Sequence, residues 1–158
     1  MADAQQPLLT IRGLKTRFFL DEGTVHAVDG VNLDIPRGKT VGLVGESGCG
    51  KSVTAFSILR LVERPGRIVE GEIVLHRDGK QIVLTDLADE GSAIRQVRGR
   101  EIAMIFQEPM TSLSPVHTVG SQIAEAVRLH TDLRGAAARD RARDMLARVG
   151  IPDAKRRY

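Results

Sequence analysis

Residues 45–52 read Gly-Glu-Ser-Gly-Cys-Gly-Lys-Ser, a complete phosphate-binding loop of the GxxxxGKS/T type. The apolar run 40–44 precedes the loop, and a segment with helical periodicity, 53–63, follows it. This strand–loop–helix order makes the motif informative, because glycines let successive backbone N–H groups converge on an anion. The helix adds the positive end of its dipole. The sequence therefore predicts a site for a nucleoside triphosphate with Mg²⁺.

Each part of the predicted site has a chemical role. The loop backbone would surround the phosphates, the Lys51 ammonium would reach the β- and γ-phosphate oxygens, and the Ser52 hydroxyl would ligate Mg²⁺. A glycine-rich turn before a helix is the alternative without a ligand, and the flanking strand and helix disfavour it. The predicted nucleotide-binding residues are Gly45, Glu46, Ser47, Gly48, Cys49, Gly50, Lys51, Ser52 and Val53.

Length and composition limit the class of protein. With 158 residues the chain is one domain or part of one, and its low aromatic content (3%) predicts an aliphatic core. The single cysteine, Cys49, excludes an internal disulfide and fits a reducing cytoplasm. The sequence contains neither a signal peptide nor an apolar run of membrane-spanning length, so neither secretion nor a membrane span is expected.

The end of the chain is basic. Residues 134–158 contain eight Lys or Arg and three Asp. Such a segment can bind nucleic acid or anionic lipid, but here the charges alternate in sign and no aromatic residues are interleaved for base stacking. We therefore interpret it as the solvated face of a helix and expect no nucleic-acid partner.

Hydrophobic periodicity predicts a layered α/β domain followed by helices. Residues 41–44 and 102–106 are continuously apolar, as expected of strands buried on both faces. The turn 76–80, which includes His76, predicts a hairpin. The remaining predicted elements are strands at 8–19, 25–35, 72–75 and 81–84, and helices at 92–98, 119–130 and 136–149.

A second motif narrows the class of nucleotide-binding protein. The apolar run 102–106 ends in Gln107, and Glu-Pro-Met-Thr-Ser-Leu-Ser-Pro follows at 108–115. Together with the phosphate loop, this motif resembles the ATP-binding subunits of ABC transporters, most closely the importers of dipeptides, oligopeptides and glutathione. Segments 25–31 and 97–99 resemble the same group, and the resemblance extends from about Leu8 to the end of the chain.

The resemblance implies a fold and further site residues. The fold would be a P-loop NTPase core of the ABC type, with an antiparallel β subdomain in 1–106. Residues 107–158 would form the Q-loop and the start of a helical subdomain, and the rest of the domain would be absent. Gln107 would be the catalytic Q-loop glutamine, which contacts Mg²⁺ and the attacking water. Phe18 would stack on adenine, with Phe19 as the second choice.

The resemblance also implies cofactors, partners and location. ATP and Mg²⁺ would be bound. The partners would be integral membrane permease subunits and a second ATP-binding subunit, with a periplasmic substrate-binding protein acting indirectly. The location would be the cytoplasmic face of the inner membrane, with the protein peripheral to it.

Other classes of function remain open from the sequence. A GTPase or nucleotide kinase is disfavoured, because the chain has no Asn/Thr-Lys-x-Asp element to read guanine. A nucleotide-binding module without turnover, an ABC ATPase of another import system such as nickel, and a nucleic-acid binder acting through the basic end are the further alternatives. An ATPase assay distinguishes a nucleotide-binding module without turnover from an enzyme.

Residues 1–158 by themselves are expected not to turn over ATP. In the family, the signature motif, the Walker B strand, the D-loop and the switch histidine lie downstream of the region matched here, so we expect an N-terminal part of the domain. Multiple-turnover phosphate release with Mg-ATP measures this, with Lys51→Ala as the control for contaminating ATPases. Sustained turnover that depends on Lys51 would show that a complete site lies within these residues.

Overall fold

An antiparallel sheet of four strands makes up most of the first of two compact units, which extends to Arg98. The structure is a computed structural model that describes residues 6–77, 79–107, 112–154, 156 and 158. The strands lie in the order β2-β1-β3-β4. They are β1 Leu9–Leu20, β2 Gly23–Ile35, β3 Gly66–Arg77 and β4 Lys80–Val83. Both strands predicted in the first 35 residues are therefore confirmed.

β1 is the central strand of this unit, because it pairs antiparallel with both β2 and β3. Alternating apolar side chains on β1 face the core, where Ile11 and Leu14 are fully buried and Ile11 lies opposite the equally buried Ile73. Arg12 on β1 and Asp34 on β2, both half exposed, form an ion pair with a separation of 2.5 Å. The hydrogen bond from Arg12 lowers the pKa of the Asp34 carboxyl group.

Two short α-helices and a 3-10 helix, Leu84–Asp86, are the described helices of the first unit. Helix α1, Lys51–Ile58, follows the phosphate loop, and α2, Ser92–Val97, buries Ile94 and Val97. The prediction that α1 continues to residue 63 is wrong. The chain leaves the helix at Arg60, whose φ of 55° is left-handed, and a right-handed helix cannot continue through that conformation.

Three further predictions differ from the structure. Residues 40–44 and 103–106 form no strand, and Val44 and Ile105 are 89% and 96% exposed. Within the described residues neither segment pairs with the sheet, and a continuous apolar run is buried only where neighbouring strands and helices cover it. His76 is part of β3 rather than a turn, because pairing with β4 continues to Arg77.

The second unit, from Gly99 onward, contains the two helices α3, Val119–His130, and α4, Gly135–Arg148. The helices pack through buried Ala124, Ala138, Ala142 and Leu146. Thr118 caps α3, because its side chain accepts a hydrogen bond from the Ser121 N–H at 3.2 Å. Both helices occur where the periodicity predicts them. Among the described residues, none of the helices has the length and apolarity needed to cross a bilayer.

The Gln122 side chain holds the segment that leads into α3. Its Oε1 accepts a hydrogen bond from the Ser114 N–H at 2.9 Å. Its Nε2 donates to the carbonyls of Ser114 and His117, both at 3.0 Å. One amide therefore fixes residues 114–117 against the first turn of the helix.

We expect Gly71→Ala to destabilise the first unit far more than Gly30→Ala. Both glycines have positive φ, which alone costs an alanine about 1–2 kcal/mol. A Cβ at Gly71 would also lie 2.5 Å from the Leu14 Cα, whereas a Cβ at Gly30 would meet no atom within 4 Å. The total for Gly71→Ala should reach about 3 kcal/mol or more. Urea unfolding of both variants measures the difference, and equal losses would contradict the close approach of β3 to β1.

Candidate phosphate-binding site

The backbone of the phosphate loop curls at its glycines. Gly48 and Gly50 have φ of 82° and 93°, which is left-handed backbone that glycine adopts without a steric cost. The Cys49 N–H donates to the Glu46 carbonyl at 3.4 Å and closes a turn over residues 46–49, which includes Gly48. These left-handed glycines provide the backbone conformation that an anion nest requires.

Helix α1 begins directly where the loop ends. The Thr54 N–H donates to the Gly50 carbonyl at 2.8 Å, which is the first helical hydrogen bond. The N–H groups of Lys51, Ser52 and Val53 precede that bond, and in an α-helix such groups have no intrahelical acceptor. These three groups and the helix dipole direct positive charge toward the loop.

The loop packs directly against strand β2. The pairing of β1 with β2 moves from Thr16 opposite Val28 to Arg17 opposite His26, so Ala27 is the extra residue of a β-bulge. A Cβ added at Gly50 would overlap the carbonyl oxygen of Ala27. The glycine at position 50 is therefore needed for space as well as for backbone conformation.

The Lys51 ammonium lies over the phosphate loop and contacts its backbone. It donates to the carbonyls of Gly45 and Glu46 at 2.8 and 2.6 Å, and to the Cys49 sulfur at 3.6 Å. Two carbonyls thus orient the charge, and the third contact is made to a thiol, which is a weak acceptor. The Ser52 side chain is exposed at the start of α1.

Cys49 has an exposed free thiol within the loop. A Cβ added at Gly45 would lie 2.6 Å from this sulfur, so the thiol lies across the loop against Gly45. The thiol is therefore accessible to an alkylating reagent.

The two candidate aromatic residues lie on opposite faces of β1, as adjacent strand residues must. The ring of Phe18 contacts Gly66, where an added Cβ would lie 2.6 Å from the ring and 2.8 Å from Val62. Phe19 is 39% exposed, and the Arg67 guanidinium lies 4.4 Å from its ring centroid. The assignment of Phe18 to adenine stays a prediction.

The loop and Phe18 belong to the first unit, whereas Gln107 belongs to the second. The Gln107 side chain is exposed. Residues 108–111 of the predicted Q-loop lie outside the described residues. The catalytic role of Gln107 and the domain boundary between 106 and 107 therefore remain predictions.

Three contacts that hold α1 were not predicted from the sequence. These are the Ala27 bulge, a buried hydrogen bond between Thr16 and Ser57, and the Arg98 side chain at the helix end. Arg98 donates to the carbonyls of Leu59 and Arg60 at 2.8 and 2.7 Å. Each contact joins residues more than twenty positions apart, so local spacing contains no signal for it.

A GxxxxGKS loop with left-handed glycines that leads directly into a helix is the phosphate-binding loop of a nucleotide-binding domain. The chain belongs to the ABC transporter family, whose model, described as ABC transporter, matches residues 28–158. The predicted resemblance and fold class are thereby confirmed.

Curated relatives agree with this assignment. The chain is 50% identical to the probable peptide ABC transporter ATP-binding protein y4tR of Sinorhizobium fredii, over 95% of this chain and 43% of that protein. It is 47% identical to the glutathione import ATP-binding protein GsiA of Salmonella typhimurium, over 94% of this chain and 24% of that protein. The chain thus spans less than half the length of these relatives.

A solved structure shows the same fold. The dimeric structure of MJ0796, described as a bacterial ABC transporter cassette, aligns with a TM-score of 0.71 and 26% identity. The alignment covers 88% of this chain and 56% of that chain.

Alkylation of Cys49 should block ATP binding, and Mg-ATP should slow the alkylation. The sulfur lies beside Gly45 and Lys51, so a bulky adduct would fill the space predicted for phosphate. Mass spectrometry of protein treated with N-ethylmaleimide, with and without Mg-ATP, measures both effects. Cys49→Ala supplies the control that should bind ATP and resist the reagent. Labelling at one rate regardless of ATP would place the nucleotide elsewhere.

Proposed function

We propose that this chain is the nucleotide-binding part of a subunit that hydrolyses ATP to energise the import of peptides through an ABC transporter. The phosphate loop is the observation on which the proposal depends. Left-handed glycines, the N–H groups at the start of α1 and a Lys51 ammonium held by two loop carbonyls occur together within residues 45–53. The names of the relatives, which refer to peptide and glutathione import, support the class of substrate.

The hydrogen-bond donors that the loop residues supply define their proposed roles. Residues 45–53 would wrap the phosphate chain with backbone N–H groups. A phosphate oxygen is a far stronger acceptor for Lys51 than the Cys49 thiol, so nucleotide would replace the sulfur and leave the two carbonyl contacts in place.

The side chain at the start of α1 also fits a magnesium ion. Mg²⁺ in nucleotide sites takes one or two protein oxygens together with phosphate and water. The exposed Ser52 hydroxyl at the start of α1 is such an oxygen, and the Gln107 amide carbonyl would be a second. The ion would neutralise charge on the phosphates, while Gln107 would orient the attacking water through its amide.

The proposed complex extends beyond this chain. Phe18 would provide the stacking face for adenine. The protein would work with integral membrane permease subunits and with a second ATP-binding subunit at the cytoplasmic face of the inner membrane. A periplasmic substrate-binding protein would deliver the peptide. Residues 1–106 would contribute the core and 107–158 the Q-loop and the start of the helical subdomain.

Lys51→Ala and Gln107→Ala should have different effects in the whole protein. Loss of the Lys51 charge removes a charge-assisted contact to phosphate, so ATP affinity should fall about 10- to 150-fold. Gln107→Ala should leave affinity unchanged and lower turnover, because its proposed contacts are Mg²⁺ and water.

Titration with a fluorescent ATP analogue and a phosphate-release assay measure the two quantities separately. Lys80→Ala, which removes a lysine at the start of β4, is the control and should change neither. Wild-type affinity and rate in Lys51→Ala would refute the phosphate-loop assignment. Parallel losses of affinity and rate in Gln107→Ala would make that residue structural.

A further inference from the structure

Two fully buried hydroxyl groups join the phosphate helix to the sheet. The Thr16 side chain on β1 and the Ser57 side chain on α1 are both 0% exposed, and their oxygens lie 2.9 Å apart. Ser57 Oγ also donates to the Val53 carbonyl at 2.7 Å. A serine has one proton to donate, so Thr16 must donate to Ser57. The direction of both hydrogen bonds is therefore fixed.

On the helix side, the hydrogen bonds from Thr16 through Ser57 end at Val53, close to the phosphate loop. Val53 is the third residue of α1, two positions after Lys51. A helix is stiff over one turn, so a bond that holds Val53 and Ser57 also sets the position of the N–H groups at the start of α1.

On the sheet side, Thr16 lies close in sequence to Phe18, the aromatic residue proposed to stack on adenine. Thr16 and Phe18 are two residues apart on β1, and their pairing with Ile68 and Gly66 of β3 is regular. The register shifts beside these residues add Ala27 to β2 and Val69 to β3 and add no residue to β1, so side chains on β1 keep their alternation. Thr16 and Phe18 therefore lie on the same face of the strand, the face that meets α1 at Ser57.

We infer that the Thr16–Ser57 hydrogen bond is a positioning contact that sets the distance between the phosphate loop and Phe18. It thereby adjusts the site to a nucleoside phosphate rather than to a bare phosphate chain. This inference rests on the proposed function, since it requires ATP to lie between the loop and Phe18. Apolar packing tolerates sliding of one surface over another, whereas a buried hydrogen bond is specific in distance and angle.

The test compares ATP with inorganic tripolyphosphate, both as Mg²⁺ complexes, on the whole protein. Tripolyphosphate needs the loop alone, whereas ATP needs the loop and Phe18 at the correct separation. Thr16→Val should weaken ATP binding about fivefold to tenfold, the effect of one hydrogen bond, and leave tripolyphosphate affinity within a factor of about two. Thr16→Ser, which keeps the hydroxyl, should retain the wild-type ratio of the two affinities.

The double variant Thr16→Val/Ser57→Ala separates positioning from stability. Replacing both members of a buried hydrogen bond with apolar groups can restore stability, so its melting temperature should exceed that of Ser57→Ala, which leaves the Thr16 hydroxyl buried without its partner. The preference for ATP should nevertheless stay reduced. Thr10→Val is the matched control, because Thr10 is on the same strand but its hydroxyl contacts His76 at 3.2 Å.

Each outcome decides the inference. A wild-type ratio of affinities in Thr16→Val, or recovery of that ratio together with stability in the double variant, would overturn it and leave the proposed function intact. An equal change of the ratio in Thr10→Val would overturn it as well. Failure of the parent protein to bind ATP, with Lys51→Ala indistinguishable from it, would refute the proposed function and the inference together.

Discussion

The close packing of Gly50 against the Ala27 carbonyl is the constraint on which the site depends. The bulge in β2 places this carbonyl against the loop, and only a residue without Cβ can lie there. The same residue must have positive φ to end the nest and begin α1. One glycine therefore fixes both the curvature of the loop and its contact with the sheet, and the direction of the helix follows from these two.

Helix α1 is short, so contacts with other elements determine its position. Eight residues form about two turns, which isolated in water would have little helical stability. Gly50 contacts β2 at the first turn, Ser57 bonds to β1 at the second, and Arg98 donates to the carbonyls beyond the helix end. Together these contacts hold the phosphate-binding end of α1 in register with a sheet that was built from other parts of the chain.

Local patterns predicted the elements that depend on local interactions. The phosphate motif, α3 and the first two strands fall where glycine spacing and periodicity place them. The strands predicted at 41–44 and 102–106 were wrong, because burial of a continuous apolar run depends on neighbours that the run itself does not encode. The predicted C-terminal end of α1 was wrong for a related reason. The left-handed Arg60 is held by distant partners such as Asp89, with which it forms an ion pair at 2.6 Å. In the candidate site, the motif predicted the loop and the start of α1, whereas the supporting contacts had no signal in the sequence.

The amide of Gln122 makes the second unit sensitive to chemical ageing. Two of its three hydrogen bonds use the amide as donor to carbonyl oxygens, and the third uses its carbonyl as acceptor. Deamidation would replace that donor with a negatively charged acceptor and leave the size of the side chain unchanged. Two attractive contacts would become repulsive while the Ser114 N–H kept its acceptor, so slow hydrolysis at this position would weaken the hold of α3 on residues 114–117 without any change in the hydrophobic core.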